Sequence, residues 1–477
     1  MTAKRYPYYL AGQPAAPNHR LAVTDKYSGE VFAEVASAGP AEIEQAIAAC
    51  AAAAPAMAAL CAYERRDILQ RCVTEITARS EEFARVLCRE AGKPIKDART
   101  EVGRMIDTFQ IAAEEALRIG GAVIDLDIAP RARGYRGLWK RVPIGPCSFI
   151  TPFNFPLNLA AHKVAPAIAM GNPFVLKPAE RTPVSAILLG EVLAAAGLPD
   201  GAFSVVPCDI ADAGPFTTDE RLKLLSFTGS RPVGWKLKAQ AGAKKVVLEL
   251  GGNAACIVER DADIADAVER IVYGGFYQSG QTCISVQRVM VHEAIYDELL
   301  GRLVARVKEL KVGDPNDEET FIGPVISIND AVRLEQWVQD AAAAGAQILT
   351  GGTRDGVMMQ PTVIAGAPPG CKVNDEEAFG PLVNVTRFAD FKQAVAAANA
   401  SRYGLQVGVF TRDIYQIQYA FDHLEAGGII INDVSSFRVD NMPYGGIKDS
   451  GTGREGVRFA MEDMSEIKLL VLRNPGS

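Results

Sequence analysis

Five short apolar runs separated by helical segments constrain the fold of this 477-residue chain more than any other feature. They are Cys147-Ser-Phe-Ile-Thr151, Pro173-Phe-Val-Leu-Lys177, Ala202-Phe-Ser-Val-Val206, Leu222-Lys-Leu-Leu-Ser-Phe227 and Val246-Val-Leu-Glu-Leu250. Continuous hydrophobicity in a strand means burial on both faces, and strands alternating with helices make a parallel α/β sheet covered by those helices. In open sheets of this kind ligands bind beyond the carboxyl ends of the strands. Asn154, Lys177, Gly229-Ser230 and Glu249 stand at four such ends, so they are expected around one cleft.

Two residues carry candidate chemistry. Glu249 ends the apolar run Lys244-Lys-Val-Val-Leu-Glu249 and precedes Leu250-Gly251-Gly252. A carboxylate there is costly unless it is paired or takes up a proton, and a general base needs such a raised pKa. A salt bridge to Lys244 or Lys245 is the structural alternative. Cys283 closes the polar loop Gln278-Ser-Gly-Gln-Thr-Cys283. A thiol attacks only as thiolate, so a reactive cysteine calls for a partly exposed, polar or electropositive setting. Gly280-Gln281-Thr282 offers backbone N–H groups and no apolar cover, although an ordinary buried thiol is the alternative.

Composition narrows the remaining possibilities. A chain with 48% apolar and 22% charged residues is long enough for two or three domains, and a net charge of −7 spread along it carries no basic stripe for nucleic acid. Nine cysteines without a C-x-x-C pair or a Cys/His cluster argue against disulfides and structural zinc, and a cytoplasmic location fits them. No apolar core follows the basic residues of the N-terminus, so no secretory signal is expected. Residues 46–63 are long and uncharged, but alanine is too weakly apolar for a membrane span; a helix pair broken at Pro55 is expected.

Residues up to about 40 read as strands and turns, then helices run to about 120. The stretch 122–139, with Pro130-Arg-Ala-Arg-Gly134 as its turn, reads as a protruding hairpin, and Glu466-Ile-Lys-Leu-Leu-Val-Leu-Arg473 as a strand that pairs with something. A second α/β pattern starts near 251, with Ala255-Cys-Ile-Val258, a helix to about Ser279, the Cys283 loop and a strand at 286–292. Gly427-Gly428 before Ile429-Ile-Ile-Asn432 marks the expected return to the first domain.

Gln281-Thr-Cys283 and Glu249-Leu-Gly-Gly resemble the two signature motifs of the NAD(P)-dependent aldehyde dehydrogenase superfamily. Thr151-Pro-Phe-Asn154-Phe-Pro156, Leu176-Lys177-Pro-Ala-Glu180, Phe227-Thr-Gly229-Ser230, Glu376-Glu377-Ala-Phe379-Gly-Pro381 and Pro443-Tyr-Gly-Gly-Ile-Lys448 follow the family's order. The similarity runs from about residue 20 to the C-terminus. It implies an aldehyde dehydrogenase-like α/β fold: a Rossmann-type five-stranded NAD domain (1–121 and 141–250) without the G-x-G-x-x-G fingerprint, an α/β catalytic domain (251–430), and oligomerisation elements (122–140 and 460–477) of a homodimer or homotetramer.

The resemblance also implies roles. Cys283 forms a thiohemiacetal with the aldehyde, because an aldehyde has no good hydride to give until its carbon is tetrahedral. The Asn154 amide and the Cys283 backbone N–H hold the oxyanion. Glu249 activates the water that hydrolyses the thioester, which argues against a CoA-acylating relative. A thiol hydrolase would need a histidine, yet His19, His162, His292 and His423 sit in no motif, and His162 is expected to pack near the pocket. The cofactor is lined by Thr151, Pro152, Phe153, Phe227 and Leu250, with its pyrophosphate on Gly229-Ser230, adenosine ribose on Lys177 and Glu180, nicotinamide ribose on Glu377 and nicotinamide against Phe379. Glu180 is expected to select NAD, leaving NADP second.

Glu101-Val-Gly-Arg104, Phe437-Arg438-Val-Asp-Asn-Met-Pro-Tyr-Gly-Gly and Ser450-Gly-Thr-Gly-Arg-Glu-Gly456 resemble the branch of the family that oxidises lactaldehyde, glyceraldehyde 3-phosphate and phosphonoacetaldehyde, which implies Arg104, Phe155, Thr282 and Arg438 on the substrate side. Arg104 and Arg438 match phosphate-holding positions of the non-phosphorylating glyceraldehyde-3-phosphate branch, whereas Thr282 stands where a third arginine occurs there. Fewer cations point to a short hydroxy-aldehyde of the lactaldehyde type first and a small anionic aldehyde second. Structural salt bridges are the alternative for both arginines.

Overall fold

The computed structural model describes residues 3–474, so the expectation for 475–477 lies outside the described residues. The five apolar runs form Cys147–Ile150, Phe174–Lys177, Phe203–Val205, Leu224–Thr228 and Lys245–Glu249, all mutually parallel. The sheet they build has eight strands rather than five: Tyr8–Leu10 and Gln13–Ala15 extend it beyond Phe203–Val205, and Gly451–Thr452 adds antiparallel to Lys245–Glu249. The chain runs outward from Cys147–Ile150 through Phe174–Lys177 to Phe203–Val205, then returns to place Leu224–Thr228 on the other flank of Cys147–Ile150. That reversal opens a crevice between the carboxyl ends of Cys147–Ile150 and Leu224–Thr228. The fully buried helix Asn158–Met170 and the helix Val184–Ala195 help to cover the sheet.

A second sheet of seven strands has Val286–His292, buried along its whole length, at its centre. All its pairings are parallel except the one made by the edge strand Gln347–Thr350. Each sheet carries its own large apolar core. Gly428–Ile431 closes this second sheet against Gln406–Phe410, so the expected return to the first sheet does not happen there. It happens later, through Gly451–Thr452 and the helix Val457–Asp463, which packs on Asn158–Met170.

The hairpin of Ala122–Asp125 and Tyr135–Pro143 projects from the body and pairs antiparallel with the tail strand Ser465–Arg473. Leu469, Leu470, Val471 and Leu472 of that tail are exposed, as are Val123 and Ile128 of the hairpin. Two helix boundaries differ from expectation. Pro55 lies inside the continuous helix Pro40–Ala59, and the 117° bend falls at Leu60-Cys61, where the Cys61 N–H donates to Glu64 and starts Ala62–Ala78. A capping carboxylate supplies a new helix start there, whereas a lone proline removes only one backbone bond. The helix before the Cys283 loop ends at Phe276, not Ser279. Among the described residues no single helix is long and apolar enough to cross a membrane.

Candidate active site

The crevice at the strand reversal faces the second sheet across a cavity of about 230 Å³. Its walls include Pro152, Phe153, Asn154, Gly229, Ser230, Glu249, Leu250, Cys283, Glu377 and Phe379, ten of the residues expected there. On the other side of Cys283 a narrower pocket of about 40 Å³ is lined by Arg104, Phe155, Thr282 and Arg438, all four expected substrate residues. Cys283 borders both cavities.

Glu249 ends its strand opposite Gly451 and is buried, and neither carboxylate oxygen has a hydrogen-bond partner among the described residues. The lysines beside it are engaged elsewhere: Lys245 pairs with Asp463, and Lys244 donates to the Asp219 carbonyl. Burial, with the nearby Glu455 carboxylate, therefore pushes the Glu249 pKa well above the usual carboxylate range, and Arg438, Lys163 and Arg454 offset only part of this.

The Cys283 loop differs from the open polar loop expected. After Phe276 the chain passes through Gln278, Ser279 and Gly280 at φ of 56°, 55° and 68°, three successive residues in the left-handed region. Such backbone is strained for the first two, so other contacts must hold it. The Gln278 N–H donates to Asp97, Ser279 Oγ donates to the Gly323 carbonyl, and a Cβ on Gly280 would lie 2.1 Å from the Gly380 carbonyl oxygen. Tyr277, Gln278, Ser279, Gly280, Gln281 and Thr282 are buried, and Ile284, Leu405 and Tyr444 pack around Cys283. The residue itself stays partly accessible, yet burial of its sulfur pushes the thiol up to about 11, against the lowering effect of the Tyr444 hydroxyl and Arg438.

Asn154 and this loop hold each other. The Asn154 amide donates one hydrogen to the Gln281 carbonyl at 2.9 Å, and the Gln278 side chain donates to the Asn154 carbonyl at 3.2 Å. An amide nitrogen has two donors, so the second remains for an acceptor in the cavity Asn154 lines.

On the cofactor side, Ser230 stands at the N-terminus of helix Arg231–Gln240 without a side-chain cap, leaving that end's N–H groups for an anion. A Cβ on Gly234 would meet Leu250 at 2.4 Å, so the helix sits directly on the strand end. Phe379, at φ 54°, meets Phe153 edge-on at 5.8 Å, and Glu377 accepts the Gly252 N–H. Lys177 and Glu180 are 3.5 Å apart beyond the next strand, beside Thr151, whose N–H donates to the Lys177 carbonyl. Phe227 is packed with Leu248 and Leu250 behind the wall instead of lining the cavity. A free helix N-terminus, a lysine–glutamate pair and an aromatic wall fit a nicotinamide dinucleotide.

Both arginines sit in ion pairs as well as in the pocket wall. Arg104 meets Asp440 at 2.7 Å, and Asp440 also takes His162 and Asn158, which confirms His162 as a packed residue. Arg438, its side chain 6% exposed, pairs with Glu455 at 3.0 Å, yet its Nε has no partner among the described residues. Glu455 is shared with the buried Lys163, so two cations face one carboxylate; despite burial they hold it down to about 2. Tyr444, Asn158, Tyr277, Ser436 and Arg333 also line the two cavities and were not singled out from the sequence, although Tyr444 lay inside a quoted motif.

The model of the aldehyde dehydrogenase family matches residues 13–470. A 3-sulfolactaldehyde dehydrogenase of Priestia megaterium is 40% identical over 470 residues, 98% of each chain. A lactaldehyde dehydrogenase of Methanocaldococcus jannaschii is 39% identical over 461 residues, 94% of this chain and 96% of that one. Aldehyde dehydrogenase 21 from Physcomitrella patens, solved with its reaction product succinate, superposes with a TM-score of 0.99 at 54% identity over all of both chains. A cysteine, an unpaired buried glutamate and an asparagine amide around one cavity at the strand reversal are thus found in a chain that belongs to the aldehyde dehydrogenase family.

Proposed function

We propose that the protein oxidises a small aldehyde carrying an anionic or hydroxyl group to the carboxylic acid, with Cys283 as nucleophile and NAD as the preferred acceptor. The observation that carries the chemistry is the meeting of Cys283, Asn154 and Glu249 at one cavity. The Cys283 sulfur adds to the aldehyde carbon, and the oxygen that becomes negative accepts from the free Asn154 amide hydrogen and the Cys283 N–H. Phe379 and Glu377 would hold the nicotinamide end of the cofactor, which would supply the acceptor for the hydride that leaves the adduct as the thioester forms. Glu249, a carboxyl whose proton affinity is raised by burial and by the nearby Glu455, takes a proton from the water that hydrolyses it.

For the substrate, Arg104 and Arg438 lining the small pocket next to Cys283 favour a short molecule with an anionic end. The unpartnered Arg438 Nε supports the anion over a neutral hydroxyl. The relatives named for sulfolactaldehyde and lactaldehyde, and the one holding succinate, agree with a substrate of this size. A Glu180 carboxylate on the adenosine ribose would accept from the 2′-hydroxyl and repel a 2′-phosphate, which supports NAD over NADP. The first sheet with residues 1–121 and 141–250 would hold the cofactor, and 251–430 the catalytic loop. The exposed apolar tail and hairpin would join copies into a dimer or tetramer, since a long exposed edge strand is a template for pairing. A cytoplasmic enzyme fits the nine unpaired thiols.

Reduced-cofactor formation with a panel of succinic semialdehyde, sulfolactaldehyde, lactaldehyde, hexanal and benzaldehyde tests the reading. Highest kcat/KM is expected for an anionic member; a best substrate that is unsubstituted and aliphatic or aromatic overturns the substrate assignment.

A further inference from the structure

Tyr444 belongs to neither the base nor the oxyanion site, yet its hydroxyl lies 2.9 Å from Cys283 Sγ. We propose that Tyr444 is a catalytic residue that donates its phenolic hydrogen to the Cys283 sulfur and so stabilises the attacking thiolate in a pocket that otherwise opposes it. This rests on Cys283 being the nucleophile.

Three observations carry the assignment. The phenol is fixed in place: Tyr444 is 2% exposed, and its backbone N–H and carbonyl are both bonded to Glu455, at 3.0 and 2.6 Å. Its ring is stacked by a cation, since the Arg438 guanidinium lies 3.7 Å from the ring centroid, and a cation on the face draws electron density from the ring and strengthens the hydroxyl as a donor. The charged groups that act on Cys283 otherwise divide: Arg438 favours the thiolate, whereas Glu377 and Glu249 oppose it. Burial raises the phenol's pKa well above the usual tyrosine range, which favours its protonated, donating form.

In the step this supports, the thiol proton leaves to solvent through the cofactor cleft and Tyr444 keeps its own. The sulfur lone pair then forms the C–S bond, and the carbonyl π pair moves to the oxygen held by Asn154. As the sulfur loses its charge in the attack the Tyr444 hydrogen bond weakens, and it strengthens again when hydrolysis of the thioester releases the Cys283 thiolate, so Tyr444 acts on both the attack and the departure of the sulfur.

The test is the pH dependence of Cys283 alkylation by iodoacetamide, followed by mass spectrometry of the labelled peptide, in wild type and Tyr444→Phe. A hydrogen bond to a charged group of ordinary strength predicts a thiol titration raised by about one to two pH units in the variant. The pre-steady-state burst of reduced cofactor should slow at neutral pH and recover as pH is raised, which a packing defect would not reproduce. If the phenylalanine variant does not fold, 3-fluorotyrosine at 444, a stronger donor, should move the titration down. Superimposable alkylation profiles, or a shift of the opposite sign, overturn the proposal. A Cys283→Ala enzyme that still oxidises aldehydes overturns instead the nucleophile assignment beneath it.

Discussion

Replacing Glu249 by glutamine keeps the shape of the side chain and removes the carboxylate proposed to take a proton from water. A positioned general base contributes on the order of 10²–10⁴-fold to its step, so thioester hydrolysis should slow by about that factor. Hydride removal does not use Glu249 as a base, so its rate should change little. Stopped-flow absorbance should therefore show a burst of one reduced cofactor per active cysteine followed by a slow steady state. The same substitution has a stability signature of known sign. Burial and Glu455 raise the folded pKa of Glu249 above its ordinary value of 4.5, so the folded state holds the proton more tightly than the unfolded one. Below 4.5 the group costs nothing. As pH rises through the window between 4.5 and the raised folded value, wild type should lose about 1.4 kcal/mol per pH unit relative to Glu249→Gln. Chemical denaturation of both proteins from acid to neutral pH measures this. Burst and steady state falling together, or stability curves that run parallel across that range, would refute the account of Glu249 as a buried, unpaired base.

The other expectations concern recognition and assembly. Arg104→Met and Arg438→Met should each lower kcat/KM for an anionic aldehyde by roughly 10–100-fold, as loss of a charged hydrogen bond would, while an uncharged aldehyde of equal length loses less; equal losses for both would leave the arginines as structural ion pairs. Glu180→Gln should raise kcat/KM with NADP relative to NAD, and a wild type already faster with NADP would remove the basis for NAD selection. Deleting the tail strand Ser465–Arg473 should convert the proposed dimer or tetramer into monomers by light scattering, because its exposed leucines face solvent in the single chain; an unchanged mass would place the interface elsewhere.

What could be read from residues alone was local. A strand, the turn after it and the helix that follows are set by neighbours in sequence, so apolar runs placed the five parallel strands to within a residue or two, and their ends named Asn154, Gly229-Ser230 and Glu249. The hairpin and the pairing tendency of the tail were legible for the same reason. Pro55 misled because a helix tolerates one lost bond where packing supports it, and the strand Gly428–Ile431 misled because its composition does not say which sheet it joins.

Tertiary structure alone decided the electrostatics. Asp440 lies 336 residues from Arg104, and Glu455, 17 residues from Arg438, is also reached by Lys163 from 292 residues away, so no local pattern could show how the two arginines of the small pocket are ion-paired. The same holds for the unpaired state of Glu249, which depends on Lys244 and Lys245 finding Asp219 and Asp463 instead. The contact of Tyr444 with Cys283, and the left-handed run at Gln278, Ser279 and Gly280, exist only because Asp97, Gly323 and Gly380 come from other segments to hold the loop. Desolvation acts through the whole surrounding shell of atoms, and that shell is assembled from segments far apart in sequence, which is why the charge state of the site belongs to the fold and its residue types to the sequence.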